Sequence, residues 1–102
     1  MRLVIRECGL ALDQERRNSI ERRLRFLLAR FSPRIGRIVV RLADLSYNIG
    51  NLKVHCQIAI RLAPFGHVSI DVAAVDLDTA LNWAASRIGP AVNRELMRWR
   101  DK

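Results

Sequence analysis

Hydrophobic and polar positions alternate with period two over several stretches of this chain and recur at threes and fours over two others. The cleanest alternation places Leu52, Val54, Cys56, Ile58, Ile60 and Leu62 on one face and Lys53, His55, Gln57, Ala59 and Arg61 on the other. A strand with one apolar and one polar face belongs to a sheet covered on one side only, which predicts antiparallel pairing in this neighbourhood. Strands are also predicted over 2–8, with Leu3 and Ile5 inward, and from Gly36, with Ile38, Val40 and Leu42 opposed to Arg37, Val39 and Arg41. A tight turn at Ala63-Pro64-Phe65-Gly66 leads to a fourth strand with Val68, Ile70 and Val72 inward.

The helical period governs the remainder. Between Asp13 and Ser32, Ile20, Leu24, Leu27, Leu28 and Phe31 form one apolar stripe. Asp13 is placed to cap that helix, and Pro33 ends it by disfavouring helical geometry in the residue before it. A second helix runs from an Asp76 cap to about Trp99, burying Leu77, Ala80, Leu81, Ala84, Ala85, Ile88, Ala91, Val92 and Leu96. Gly89-Pro90 inside it removes a backbone donor and predicts a kink. The order β-α-β-β-β-α makes this an α+β fold: a four-stranded sheet with two helices packed on one face, in a single domain over 1–102. Residues 44–51 form the one loop long enough to be a functional element.

Charge changes the picture. Of the 18 basic residues 16 are arginine, and the net charge is +8. Guanidinium binds phosphate bidentately and stacks on bases, so this bias points to a nucleic-acid partner. The first helix carries six arginines in 20 residues, against Asp13, Glu15 and Glu21. Arg16, Arg23 and Arg30 recur at sevens along one flank of the apolar stripe, while Arg22 and Arg25 lie on the outer side and Phe26 falls between Arg22 and the row. Arg87 and Arg94 repeat the spacing on the second helix, with Arg98 close by and Trp83 alongside. Arginine rows with an adjacent aromatic are the ingredients of phosphate contact plus base stacking. The bland alternative is an aromatic at the rim of the core beside snorkelling arginines. Spacing alone leaves open whether the two rows face each other.

Other chemistries find little support. No Ser-His-Asp or Cys-His spacing and no Gly-rich phosphate loop is present, so no enzyme activity and no cofactor are expected. Cys8, Cys56, His55 and His67 match no metal-site spacing, and Cys56 and His55 point to opposite faces of one strand. Asp76 and Asp78 read as a cap and a first-turn acid favoured by the helix dipole. With two cysteines, no C-x-x-C pair, no leader and no apolar run of membrane length, the expectation is a cytoplasmic protein with reduced thiols and no membrane partner.

The stretches SIERRLRFLLARF (19–31), IGRIVVRLADL (35–45), HCQIAIRL (55–62) and DLDTALNWAASRIGPAVNREL (76–96) resemble the ribosome hibernation factor family. That family comprises the hibernation-promoting factors, the ribosome-associated inhibitor and the sigma modulation proteins. The resemblance covers the whole chain and is to the short form, without the further domain of the long members. It implies the same β-α-β-β-β-α fold and binding to small-subunit ribosomal RNA in the mRNA and tRNA channel, with inhibition of translation and protection of idle ribosomes. It also implies RNA contacts from basic residues of both helices, here Arg16, Arg23, Arg30, Arg87, Arg94 and Arg98; Arg22 and Trp83, placed near these rows, complete the RNA-binding candidates. The chain departs from the family pattern in its uncharged loop Ser46-Tyr47-Asn48-Ile49-Gly50-Asn51 and at Asp78, Trp83, Pro90 and Glu95.

Two further readings follow from the residues. The α-β-β-β-α portion shares its order with double-stranded-RNA-binding domains, which would make the chain a general binder of structured RNA. Tyr47, Ile49 and Trp83 could instead form an apolar patch for a protein partner. The exposed sheet face (Arg41, Lys53, Gln57, Arg61, His67) is either solvated or paired, which leaves a weak homo-oligomer open.

Overall fold

A computed structural model describes residues 1–45 and 50–100. Its elements are β1 (Arg2–Cys8), α1 (Gln14–Leu28), a 3₁₀ segment (Ala29–Arg34), β2 (Ile35–Asp44), β3 (Val54–Leu62), β4 (His67–Ala74) and α2 (Leu77–Arg100). The four strands form one sheet in the order β1-β2-β3-β4. β1 and β2 run parallel, and β2–β3 and β3–β4 run antiparallel, as the alternation around β3 predicts. A parallel pair needs a crossover between its strands, and α1 supplies it. Gly9 ends β1 with φ +75°, where an added Cβ would stand 3.0 Å from the Asp44 Cβ; both facts favour glycine. Of the candidate loop 44–51, Ser46, Tyr47, Asn48 and Ile49 lie outside the described residues.

Both helices cover the same face of the sheet. Ile20, Leu24 and Leu28 of α1 join Ile38, Val40 and Leu42 of β2, Cys56, Ile58 and Ile60 of β3 and Ile88 and Val92 of α2 in one core cluster. Leu3 and Ile5 of β1 pack against it half-buried. Among the described residues no polar or charged side chain is buried. α2 meets β3 and β4 through Ala80, Ala84 and Ala91, whose small side chains let the helix lie close.

Two details differ from the expectations. α1 gives way to 3₁₀ geometry at Ala29 rather than continuing to Ser32; Pro33 has no N–H to give the Ala29 carbonyl its α-helical bond, and the chain tightens into β2. Leu27 is 36% exposed, so the stripe is narrower than the spacing suggests. As expected, Gly89-Pro90 lies inside a single second helix. Pro90 and Ser86 are both exposed, so water can satisfy the Ser86 carbonyl that loses its helical donor.

Cys8 is exposed, whereas Cys56 is fully buried and burial pushes its thiol up to about 11, with Asp71 adding to the shift. A thiol-specific reagent at pH 8 should therefore label one cysteine per native chain and two after urea unfolding. Two rapid equivalents in the native protein would contradict the packing of β3. Ile88→Ala, which empties a fully buried site, should cost about 2–5 kcal/mol by urea unfolding.

Candidate nucleic-acid interface

The helix starts are fixed by their caps. The Asp13 carboxylate accepts from the Arg16 backbone N–H at 2.7 Å, and the Asp76 carboxylate accepts from the Thr79 N–H at 2.7 Å. The bond from Thr79 holds the Asp76 carboxyl below its ordinary range. With both starts set, α1 and α2 lie side by side and enclose a groove of about 100 Å³. Its lining includes Ile20 and Leu24 from α1, Leu81 and Ala85 from α2 and Ile58 from β3.

Arg16 and Arg23 stand at the mouth of this groove, and each is engaged across it. Arg16 forms an ion pair with Asp78, and Arg23 donates to the Asn82 side-chain oxygen at 2.6 Å. Asp78 is thus more than a first-turn acid, since it crosses to the facing helix. On the other flank of α1, Arg17 pairs with Glu7 of β1, and Arg25 with Glu21 at 3.2 Å. Four of the six arginines predicted for the first helix are therefore tied to neighbours.

The remaining candidates point elsewhere. Arg22 is exposed and makes no ion pair or hydrogen bond among the described residues. Arg30 falls in the 3₁₀ segment, where a spacing of seven no longer preserves the flank. Its guanidinium lies 4.4 Å from the centre of the Phe31 ring. On α2 the groove is lined by Asp78, Leu81, Asn82 and Ala85. Arg87 is two residues past Ala85, about 200° around the helix, and Arg94 and Arg98 share its flank. The two rows therefore do not face each other; the second lies on the side of α2 turned away from α1.

On that outer flank Arg87 sits 6.0 Å from the Trp83 ring centre, and Arg94 makes no ion pair among the described residues. Arg98 lies 3.6 Å from Glu95 and 5.3 Å from the Trp99 ring centre. Trp83 is 47% exposed and Phe26 83%, so neither is a core residue at the rim. Sequence reasoning missed Phe65, which meets Trp99 edge-on at 4.8 Å in an open cavity of about 570 Å³ with Arg34 and Arg100 at its margin. The only signal for it was an aromatic inside a tight turn.

No helix among the described residues is long and apolar enough to cross a membrane. No group of three or more His, Cys, Asp or Glu side chains forms a candidate metal site among them.

No protein-family model matches the chain, and no curated protein sequence does so either. Solved structures do match its fold. The N-terminal domain of Protein Y from Thermus thermophilus is 21% identical, with 92% of this chain and 98% of that one covered and a TM-score of 0.72. A ribosomal subunit interface protein from Coxiella burnetii is 14% identical over 100% of both chains, with a TM-score of 0.71.

Asp78 cancels a charge that would otherwise face outward from the groove. Asp78→Asn should therefore move elution from immobilised heparin to higher salt, while thermal unfolding reports less than about 1 kcal/mol of change because the pair is exposed. Earlier elution would show that Arg16 must be held by Asp78 to reach a polyanion.

Proposed function

We propose that this protein is a ribosome-associated factor of the hibernation type that acts by occupancy in the cytoplasm. Its helix arginines neutralise small-subunit RNA phosphates in the mRNA and tRNA channel, and its body excludes mRNA and tRNA. The observation that carries this reading is the set of unneutralised arginines on a fold shared, end to end, with a ribosomal subunit interface protein. Arg22, Arg87 and Arg94 make no ion pair or hydrogen bond among the described residues, and Arg30 is engaged only with the Phe31 ring.

The geometry refines which arginines carry the contact. Arg16 and Arg23 must first release Asp78 and Asn82, or share themselves with them, so they contribute less than their spacing implies. The outer flank of α2 offers Arg87 and Arg94 at no such cost. Trp83 beside Arg87, and Phe65 edge-on to the half-buried Trp99, supply exposed rings on which an unpaired base can stack. The reading requires no bond making or breaking, cofactor or metal. Inhibition follows from volume and charge alone.

Co-sedimentation with ribosomes through a sucrose cushion tests this directly. Saturable binding near one copy per ribosome is expected, with affinity falling steeply as salt rises because bound RNA releases counterions. The double variant R87E/R94E should weaken binding by at least about tenfold and flatten the salt dependence by about two contacts. R23E/R30E should weaken it less, since Arg23 is already engaged with Asn82. Absence of wild-type binding at low salt would overturn the ribosomal reading. Equal affinity for naked RNA duplexes would turn it into a general structured-RNA binder.

A further inference from the structure

The face of the sheet turned away from the helices carries a second set of arginines, aligned by strand register rather than by helix period. Arg2 of β1 lies opposite Arg37 of β2, Arg37 opposite Arg61 of β3, and Arg61 opposite His67 of β4. One rung across all four strands thus holds three arginines and a histidine. The next outward rung is Val4, Val39, Ala59 and Ser69, and the one after is Arg6, Arg41, Gln57 and Asp71. A register shift at Gly36, between Ile35 and Arg37, brings Arg37 directly opposite Arg61. Neighbouring strands are roughly 4.8 Å apart, so the three arginine positions of the first rung span about 10 Å, and the second arginine rung lies about 13 Å along the strands.

This arrangement is costly for the isolated fold. Like charges directly opposite on a sheet are destabilising, and a face built only for solubility would alternate sign across the rung. Among the described residues the side chains of Arg2, Arg6, Arg37 and Arg61 make no ion pair or hydrogen bond, whereas Arg41 donates to the Gln57 side-chain oxygen at 3.1 Å. The one carboxylate on this face among the described residues, Asp71 of the edge strand β4, closes the rung of Arg6 and Arg41 at the opposite edge from Arg6 and is held by His55 at 3.1 Å. Between the rungs Val39, Ala59 and Ser69 floor a shallow cavity of about 210 Å³ walled by Arg37, Arg41 and Arg61. The small floor and tall basic walls leave space for an anionic strand.

We propose that this open sheet face is a second RNA-backbone surface, with Arg2, Arg37 and Arg61 engaging one stretch of phosphates and Arg6 and Arg41 the next. Guanidinium suits bidentate phosphate capture, and bound phosphate converts the like-charge cost of the empty rung into a favourable contact. The domain would then be held between RNA on its helix side and RNA on its sheet side. That the anion is RNA rests on the ribosomal reading above; the basic surface itself does not.

Fluorescence anisotropy with a fluorescein-labelled 15-nucleotide oligouridylate tests the face apart from the ribosome. The variant R37Q/R61Q should lose at least about tenfold in affinity and about two from the slope of log affinity against log salt. Its unfolding temperature should equal or exceed the wild type's, since the substitutions remove repulsion. R2Q/R6Q, on the edge strand β1, should give a similar loss without touching the bulge at Gly36. Wild-type affinity and slope in both sheet variants would overturn the proposal; if R87Q/R94Q then lost binding, the helix reading would stand alone. Undetectable binding of the oligonucleotide by the wild-type chain would overturn it as well. So would sheet variants that keep RNA affinity but lose binding to polyglutamate, which would assign the face to an acidic protein.

Discussion

An apolar slab between two helices and one face of a sheet fixes everything else about this molecule. Its strand side is built from Ile38, Val40, Leu42, Ile58 and Ile60, and its helix side from Leu24, Leu28, Ile88 and Val92. No polar side chain enters it among the described residues, because an unpaired polar group there would cost more than its packing returns. With the slab on one side only, each strand must present its alternate residues to solvent, and each helix its outer half. A chain with 16 arginines therefore displays charge on two opposed surfaces separated by the full thickness of the fold.

Those two surfaces treat their charge differently. On the helix side much of it is balanced internally, as Asp78, Asn82, Glu7 and Glu21 each engage an arginine. These contacts add little stability individually, since exposed pairs contribute at most about 1 kcal/mol. They do hold side chains in place and leave Arg22, Arg30, Arg87 and Arg94 without a carboxylate partner among the described residues. On the sheet side the backbone register places Arg2, Arg37 and Arg61 side by side, and within that rung the slab, rather than any local pairing, must support the repulsion. Burial of an uninterrupted apolar layer is what makes such a surface tolerable in a domain of this size.

Much of the fold was legible in the chain because it depends on local rules. Alternation at 54–62 named the inward residues of β3 and its antiparallel partners, and Asp13 and Asp76 marked the helix starts, whereas Leu52 lies exposed ahead of β3 and α1 ends at Leu28, short of the Ser32 that Pro33 suggested. The candidate site was legible only in part. Spacing of seven put Arg16 and Arg23 on one flank and Arg87 and Arg94 on another, and both pairings of position hold. Arg30 left its row because the 3₁₀ segment changed the angular step, which periodicity assumes constant.

What the sequence by itself determined was which residues are inside and which are outside, since burial follows the period of each element and that period is written in neighbouring residues. Only tertiary structure decided which outside residues meet. Arg16 finds Asp78 across 62 positions of chain, and Arg2, Arg37 and Arg61 share a rung because a parallel pairing, an antiparallel pairing and the register shift at Gly36 bring them level. Such encounters depend on register and on the rotation of one helix against another. Both are set by how the whole slab packs, so no local stretch of sequence contains them.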